Sequence, residues 1–240
     1  MTNFFSTLDE RARRTGSLLC VGLDPHPADL PESTPAAALE FCLKLMSATA
    51  DAALAFKPNA AFFEAWGAPG WAALAELIAS APPGVPVILD AKRGDIASTA
   101  EAYARSVFET LGADAVTLNP YLGRDSIEPF LANPEHGAFL LCKTSNPGAG
   151  DLQDVQLATG GRLYEHVARL AQEWNLLGNV GLVVGATHPE SLRRVRAAAP
   201  DLWILAPGVG AQGGDLAAAL QAGRRRDGLG LLVTISRTIS

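Results

Sequence analysis

Residues 85–95 read Val-Pro-Val-Ile-Leu-Asp-Ala-Lys-Arg-Gly-Asp, an apolar run that ends in four ionisable groups. Val85, Val87, Ile88 and Leu89 have the composition of a buried strand, where an unpaired charge is costly. Side chains alternate across a strand, so Asp90 and Lys92 project to one side. Gly94 breaks the strand and Asp95 opens a helical segment. An Asp-x-Lys-x-x-Asp array at the mouth of a core strand can hold fixed charges around a substrate. A strand that ends in polar chemistry and hands over to a helix is the repeating unit of an α/β fold.

The same alternation runs through all 240 residues. Apolar runs predict strands at 18–23, 53–57, 85–90, 114–118, 138–142, 180–184, 202–206 and 230–235. Ala/Leu/Glu/Arg-rich stretches predict helices near 36–50, 63–79, 97–111, 124–132, 160–177, 188–198 and 212–223, with another around 3–14. Eight β/α units in a chain of this length predict an α/β protein with a (β/α)8 TIM barrel, a single domain over 1–240. A doubly wound open sheet is the rival architecture. Ser33-Thr34-Pro35 and His188-Pro189-Glu190 introduce helices, and Gly112 and Gly223 sit where helices should stop.

Composition narrows the function. Hydrophobic residues make up 48% and charged residues 18%, which fits a globular chain. A net charge of -6 argues against a nucleic-acid or membrane surface, yet leaves room for a locally basic pocket. No stretch approaches the roughly 20 apolar residues of a membrane span, and the first residues lack the pattern of a secretory signal, so a cytoplasmic location is expected. Cys20, Cys42 and Cys142 lie far apart and read as small buried hydrophobes. His26, His136, His166 and His188 have no ligand-like spacing, so no metal site is expected, and no Gly-x-Ser-x-Gly elbow is present. Arg224-Arg225-Arg226 reads as a solvated turn, and Trp66, Trp71, Trp174 and Trp203 as packing residues.

The strand ends carry the functional signal. They meet Asp24, Lys57, Asp90 with Lys92, Asn119, Lys143-Thr144-Ser145, Pro207-Gly208-Val209-Gly210 and Ser236-Arg237. In a barrel the C-terminal strand ends converge on one face, where barrel active sites lie. Lys57, Asp90, Lys92 and Asp95 form an alternating charged set in which each member keeps its neighbours ionised. An ammonium in such a set stabilises a developing carbanion and can protonate it. The bland alternative is an ion-pair network at the rim with Asp95 as a helix cap. The glycine-rich turn 206–215 and Arg237 suit an anion such as phosphate, which barrels commonly bind after strands seven and eight. Ser145-Asn146-Pro147-Gly148 is a loop of polar donors or a simple turn.

These residues resemble the orotidine 5′-phosphate decarboxylase family. The likeness runs from Gly22-Leu23-Asp24-Pro25 through Phe56-Lys57-Pro58-Asn59 and Asp90-Ala91-Lys92-Arg93-Gly94-Asp95-Ile96. It continues through Ser145-Asn146-Pro147-Gly148 and Pro207-Gly208-Val209-Gly210-Ala211-Gln212 to Ser236-Arg237, nearly the whole chain. The insert around 144–158 is similar to the bacterial branch with longer loops. The resemblance implies cofactor-free decarboxylation of orotidine 5′-phosphate to UMP and CO2, the last step of pyrimidine synthesis. It implies Lys92 as proton donor to C6, Asp90 against the departing carboxylate, Lys57 orienting Asp90 and the ribose, and Asp24 on a ribose hydroxyl. Ser145 would contact the pyrimidine, Gln212 of the turn that holds Gly208 and Gly210 and Arg237 at the end of strand eight would bind phosphate, and Asp95 with Thr99 would reach into the partner's site of a homodimer. Family members generally continue past the Ser-Arg segment into a closing helix. This sequence stops at Ser240, so the expectation is a last strand without its outer helix.

Two other readings compete. A sugar-phosphate decarboxylase or aldolase of the same superfamily shares the Asp-x-Lys-x-x-Asp array but resembles Mg²⁺-dependent enzymes, whereas Lys57 stands where a metal-binding carboxylate would be expected. A catalytically silent nucleotide-binding protein would bind UMP without turnover.

Overall fold

The computed structural model describes residues 2–210 and 213–236. Eight parallel strands are β1 (Leu19–Leu23), β2 (Ala53–Pro58), β3 (Ile88–Arg93), β4 (Ala115–Leu118), β5 (Gly137–Lys143), β6 (Val180–Val184), β7 (Ile204–Pro207) and β8 (Leu231–Ile235). They form one sheet in the order β2-β1-β8-β7-β6-β5-β4-β3. Parallel bridges from Phe56 to Val87 and from Asn59 to Asp90 bring the two end strands together, giving the expected TIM barrel.

Ten α-helices accompany the strands: α1 (Phe4–Thr15), α2 (Pro35–Thr49), α3 (Ala60–Glu64), α4 (Ala68–Ala79), α5 (Ala97–Arg105), α6 (Glu128–Leu131), α7 (Gly150–Gln153), α8 (Leu163–Trp174), α9 (Pro189–Ala198) and α10 (Leu216–Gly223) among the described residues. Thr34 caps α2 by accepting the N–H of Ala37 at 3.2 Å, with Pro35 at the first position. The residues after Ser236, where a closing helix was expected to be missing, lie outside the described residues.

Two apolar layers hold the barrel. Cys20, Leu54, Ile88, Ala115, Phe139, Val183, Leu205 and Leu232, one from each strand, pack with Phe4, Phe5, Leu8 and Ala12 of α1. The second and larger layer lies between strands and outer helices and includes Phe56, Phe63, Leu140, Leu182 and Leu192. This division follows the period of two: Ala115 and Thr117 share one face of β4, as Ile88 and Asp90 share one face of β3.

Several boundaries differ from the sequence reading. The third strand begins at Ile88 rather than 85, because Pro86 has no N–H to give a ladder and Val87 makes only a bridge to Phe56. The strand also runs on to Arg93 rather than ending at 90, so Lys92 lies within β3 as Asp90 does. The helix expected over 63–79 splits into α3 and α4 at Gly67, whose φ of 63° the helix cannot accommodate. The one expected over 97–111 changes to a π-helical turn over Ser106–Thr110, and 124–132 breaks into a 3-10 turn followed by α6. Arg225 is not a solvated turn residue: it pairs with Asp9 at 2.7 Å and lies over the Trp203 ring.

Candidate active site

At the C-terminal rim, β2 and β3 bring two lysines onto one carboxylate. Lys57 Nζ lies 3.0 Å from Asp90 Oδ2, and Lys92 Nζ lies 2.6 Å from Asp90 Oδ1. Lys57 is 4% exposed. The Lys92 side chain is 48% exposed, which leaves the barrel mouth open to its ammonium. Burial alone would strip Lys57 of its proton, but Asp90 and then Asp24 outweigh it and hold its pKa above the ordinary lysine value. Burial likewise opposes the Asp90 charge, yet Lys57 and Lys92 keep the carboxyl well below the usual range. Lys57 and Asp90 are thus ionised together.

The backbone that delivers Lys92 is unusual. Its φ is 51°, a left-handed conformation that costs a non-glycine residue about 1–2 kcal/mol. The pairing of β3 with β4 slips between Leu89 and Arg93, where the extra residues bulge out of the ladder. Thr117 fills the gap: its Oγ1 donates to Asp90 Oδ1 at 2.9 Å and accepts the N–H groups of Ala91 and Lys92. Arg93, paired with Glu64 and lying over the Tyr103 ring, anchors the far side of the bulge. A Cβ on Gly94 would fall 2.6 Å from the carbonyl oxygen of Asn119, so the chain leaves β3 against β4 with no room for a side chain.

The other expected residues are distributed around this cluster. Asp24 follows β1, and its buried Oδ1 has no hydrogen-bond partner among the described residues. Asp95 is not a side-chain cap: its Oδ1 accepts the adjacent Ile96 N–H at 2.8 Å, and α5 starts at Ala97. Thr99 is exposed in the first turn of α5. Ser145 packs beside Gly185, where a Cβ would come within 2.9 Å of the Ser145 Cβ. Gly208 and Gly210 have φ of 100° and 74°. The N–H of Gly210 donates to the Gly214 carbonyl at 3.2 Å, so that group is used within the loop rather than turned outward. Gln212 and Arg237 lie outside the described residues.

Sequence reasoning missed Thr117, since a threonine in an apolar strand reads as a β-branched packing residue. A polar side chain two positions after an interior residue was the available signal. It also did not separate Lys143 from the rim. Lys143 is buried and reaches Asp154 at 2.9 Å and the Tyr164 ring, tying the strand end to the loop that follows. Clefts of about 970 and 710 Å³ lie elsewhere, one by Arg196 and Arg225, the other between α5 and α6. Neither is lined by Lys57, Asp90 or Lys92, so charge geometry rather than volume locates the site. Among the described residues no group of three or more His, Cys, Asp and Glu side chains is placed to hold a metal ion.

Known proteins are similar to this chain in sequence and in fold. A family model described as "Orotidine 5'-phosphate decarboxylase / HUMPS family" matches residues 17–240. An orotidine 5′-phosphate decarboxylase of Roseiflexus castenholzii is 61% identical over 241 residues, covering 99% of this chain and 88% of that one. The structure of Leishmania donovani OMP decarboxylase superposes with a TM-score of 0.90 at 54% identity, over 98% of this chain and 90% of that one. The Leishmania donovani UMP synthase structure superposes with a TM-score of 0.93 at 56% identity, over 99% of this chain. This chain spans 52% of that longer protein.

Proposed function

The chain belongs to the orotidine 5′-phosphate decarboxylase family and converts orotidine 5′-phosphate to UMP and CO2 in pyrimidine biosynthesis, and we propose that Lys57, Asp90 and Lys92 form its reaction centre. The observation that carries this reading is the single buried carboxylate held between two ammonium groups at the mouth of the barrel. The reaction breaks the bond from C6 to the carboxylate, leaves the electron pair on C6, and ends with a proton there. Lys92, the more open of the two lysines, stabilises that developing charge and delivers the proton. Asp90, kept ionised by its neighbours, stands against the substrate carboxylate, and the repulsion between them is relieved as neutral CO2 departs. Lys57 holds Asp90 in place from inside the barrel. The chemistry proposed here uses no cofactor.

Around this centre we assign the remaining contacts. The unpartnered Asp24 Oδ1 accepts a ribose hydroxyl, and Ser145 meets the pyrimidine. Gly208, Gly210 and Gln212 of the glycine-rich turn, together with Arg237 after the eighth strand, are assigned to the phosphate, whose binding energy is realised far from the reacting carbon. Asp95 and Thr99 complete the site of a second copy in a homodimer. Support comes from Asp95 standing apart from the Asp90 cluster and from the exposed apolar side chains of Ile96, Tyr121 and Leu122 on the connections after β3 and β4. The unit is one barrel domain over 1–240 that works in the cytoplasm. Among the described residues no helix is long and apolar enough to cross a membrane. The sugar-phosphate alternative is not favoured, given a relative of 61% identity that is an orotidine 5′-phosphate decarboxylase.

Lys92→Ala tests the centre. We expect turnover of orotidine 5′-phosphate, followed by loss of its absorbance, to disappear while UMP still binds. A near-normal rate would remove Lys92 from the chemistry.

A further inference from the structure

Thr117 is 1% exposed, and the hydrogen-bonding capacity of its hydroxyl is fully used. A threonine hydroxyl offers one donor and two acceptor positions. Here the donor goes to Asp90 Oδ1 at 2.9 Å, and the acceptor positions take the N–H groups of Ala91 at 3.1 Å and Lys92 at 3.0 Å. We propose that Thr117 is a positioning residue for the decarboxylation, fixing the backbone of Lys92 and the carboxylate of Asp90 against each other. The proposal rests on the reading of Asp90 and Lys92 as reacting groups.

The slip in the sheet explains why a side chain is needed. Leu89 pairs with Val116 and Arg93 with Leu118, so four steps along β3 match two along β4. The N–H groups in that surplus have no regular carbonyl partner, and Thr117 Oγ1 takes that place. Lys92 sits at the strained point of the bulge, with φ of 51°. Its side chain returns so that Nζ meets the same Asp90 oxygen to which Thr117 donates, at 2.6 Å. One hydroxyl thus holds both ends of the Lys92–Asp90 pair. Without it the bulge can relax, and the ammonium is free to leave the position from which it faces C6. Catalytic geometry is sensitive to displacements of about 1 Å. The residues proposed for ribose and phosphate follow other strands, Asp24 after β1 and the turn of Gly208 and Gly210 after β7, so their binding should not depend on this bond.

The test compares Thr117→Val, which removes the hydroxyl, with Thr117→Ser, which keeps it. Rates are normalised to the UMP-binding fraction, and Lys92→Ala is assayed in parallel. We expect Thr117→Val to lower kcat by roughly 10- to 100-fold, the size of effect expected for a hydrogen bond to a charged group. KM and UMP affinity should stay within about twofold, and Thr117→Ser should restore kcat. Wild-type kcat in Thr117→Val overturns the inference, as does a serine variant no better than valine, or a parallel loss of kcat and UMP affinity. If the valine chain does not fold, Thr117→Cys, a weak donor and acceptor in the same place, should show the same selective loss of kcat, and a normal kcat there overturns the proposal. Activity surviving in Lys92→Ala would sink the underlying reading. Activity lost there but kept in Thr117→Val would sink only the role of Thr117.

Discussion

Lys57 keeps a charge inside the barrel because Asp90, and less directly Asp24, repay the desolvation of its ammonium. Removing one member of such a set costs more than the pair contributes, because a buried charge is left behind. Lys57→Met would leave Asp90 to Lys92 and Thr117, and would leave Asp24 without its counter-charge. We expect a loss of about 3 kcal/mol at pH 7, measured by urea denaturation with UMP absent. The sign with pH follows from Asp90. Its folded-state pKa is depressed, so its contribution is whole above the ordinary carboxylate value of about 3.9 and drains away as pH falls below it. Without Lys57 the depression shrinks, and acid removes less from the variant than from the wild type. The stability gap should therefore narrow as pH is lowered below about 4. A gap that is constant with pH would mean that Lys57 does not hold the charge of Asp90.

At the scale of elements, pattern and structure diverge where backbone geometry overrides side-chain period. The apolar run before Asp90 showed a strand, and the charges at its end showed which end carries chemistry. Nothing in that period reports a slipped ladder, so neither the bulge at Lys92 nor the work of Thr117 was legible. The turn of Lys143 toward Asp154 was hidden for the same reason, since a register shift lies between Leu141 and Lys143. The apolar spacing of 63–79 likewise runs on through a break made by Trp66-Gly67-Ala68-Pro69-Gly70, a turn signal that the helical period masked. Gly70 is what lets α4 cross the end of α3: a Cβ there would lie 1.8 Å from the carbonyl oxygen of Phe63. That neighbour is backbone and cannot swing aside. Gly70→Ala, favourable in an open helix, should here destabilise by about 2 kcal/mol through overpacking. For a chain of this length that is a fall of roughly 4–8 °C in the unfolding midpoint, read by circular dichroism. An unchanged or higher midpoint would show that α4 yields without strain.

Across the whole molecule the barrel has a chemical end and a sealed end. α1 precedes the residues matched by the family model, yet Phe4, Phe5 and Leu8 are buried against Phe139 and the other interior side chains. Arg225 and Trp203 both bond to Asp9, fastening α1 to the seventh and eighth units. Arg11 fastens it to the second and third. Its guanidinium donates to the carbonyls of Ala50, Ala53 and Gly84 at 2.8 to 3.2 Å, at the end of α2 and just ahead of the strands that carry Lys57 and Asp90. Burial lowers the Arg11 pKa, and the carbonyl dipoles at the α2 terminus supply the compensation. Arg11→Leu preserves apolar bulk but leaves those carbonyls without a donor. We expect a loss of about 3 kcal/mol in urea denaturation, since unsatisfied buried acceptors cost about 1–3 kcal/mol each and water reaches some of them. The rim lies a full strand away, about 20 Å for a six-residue strand, so kcat of the folded fraction should remain within about twofold, well under 1 kcal/mol in barrier height. If instead kcat falls while stability holds, the floor contacts must act on the geometry of β2 and β3, and the division into a sealed end and a reacting end would be wrong.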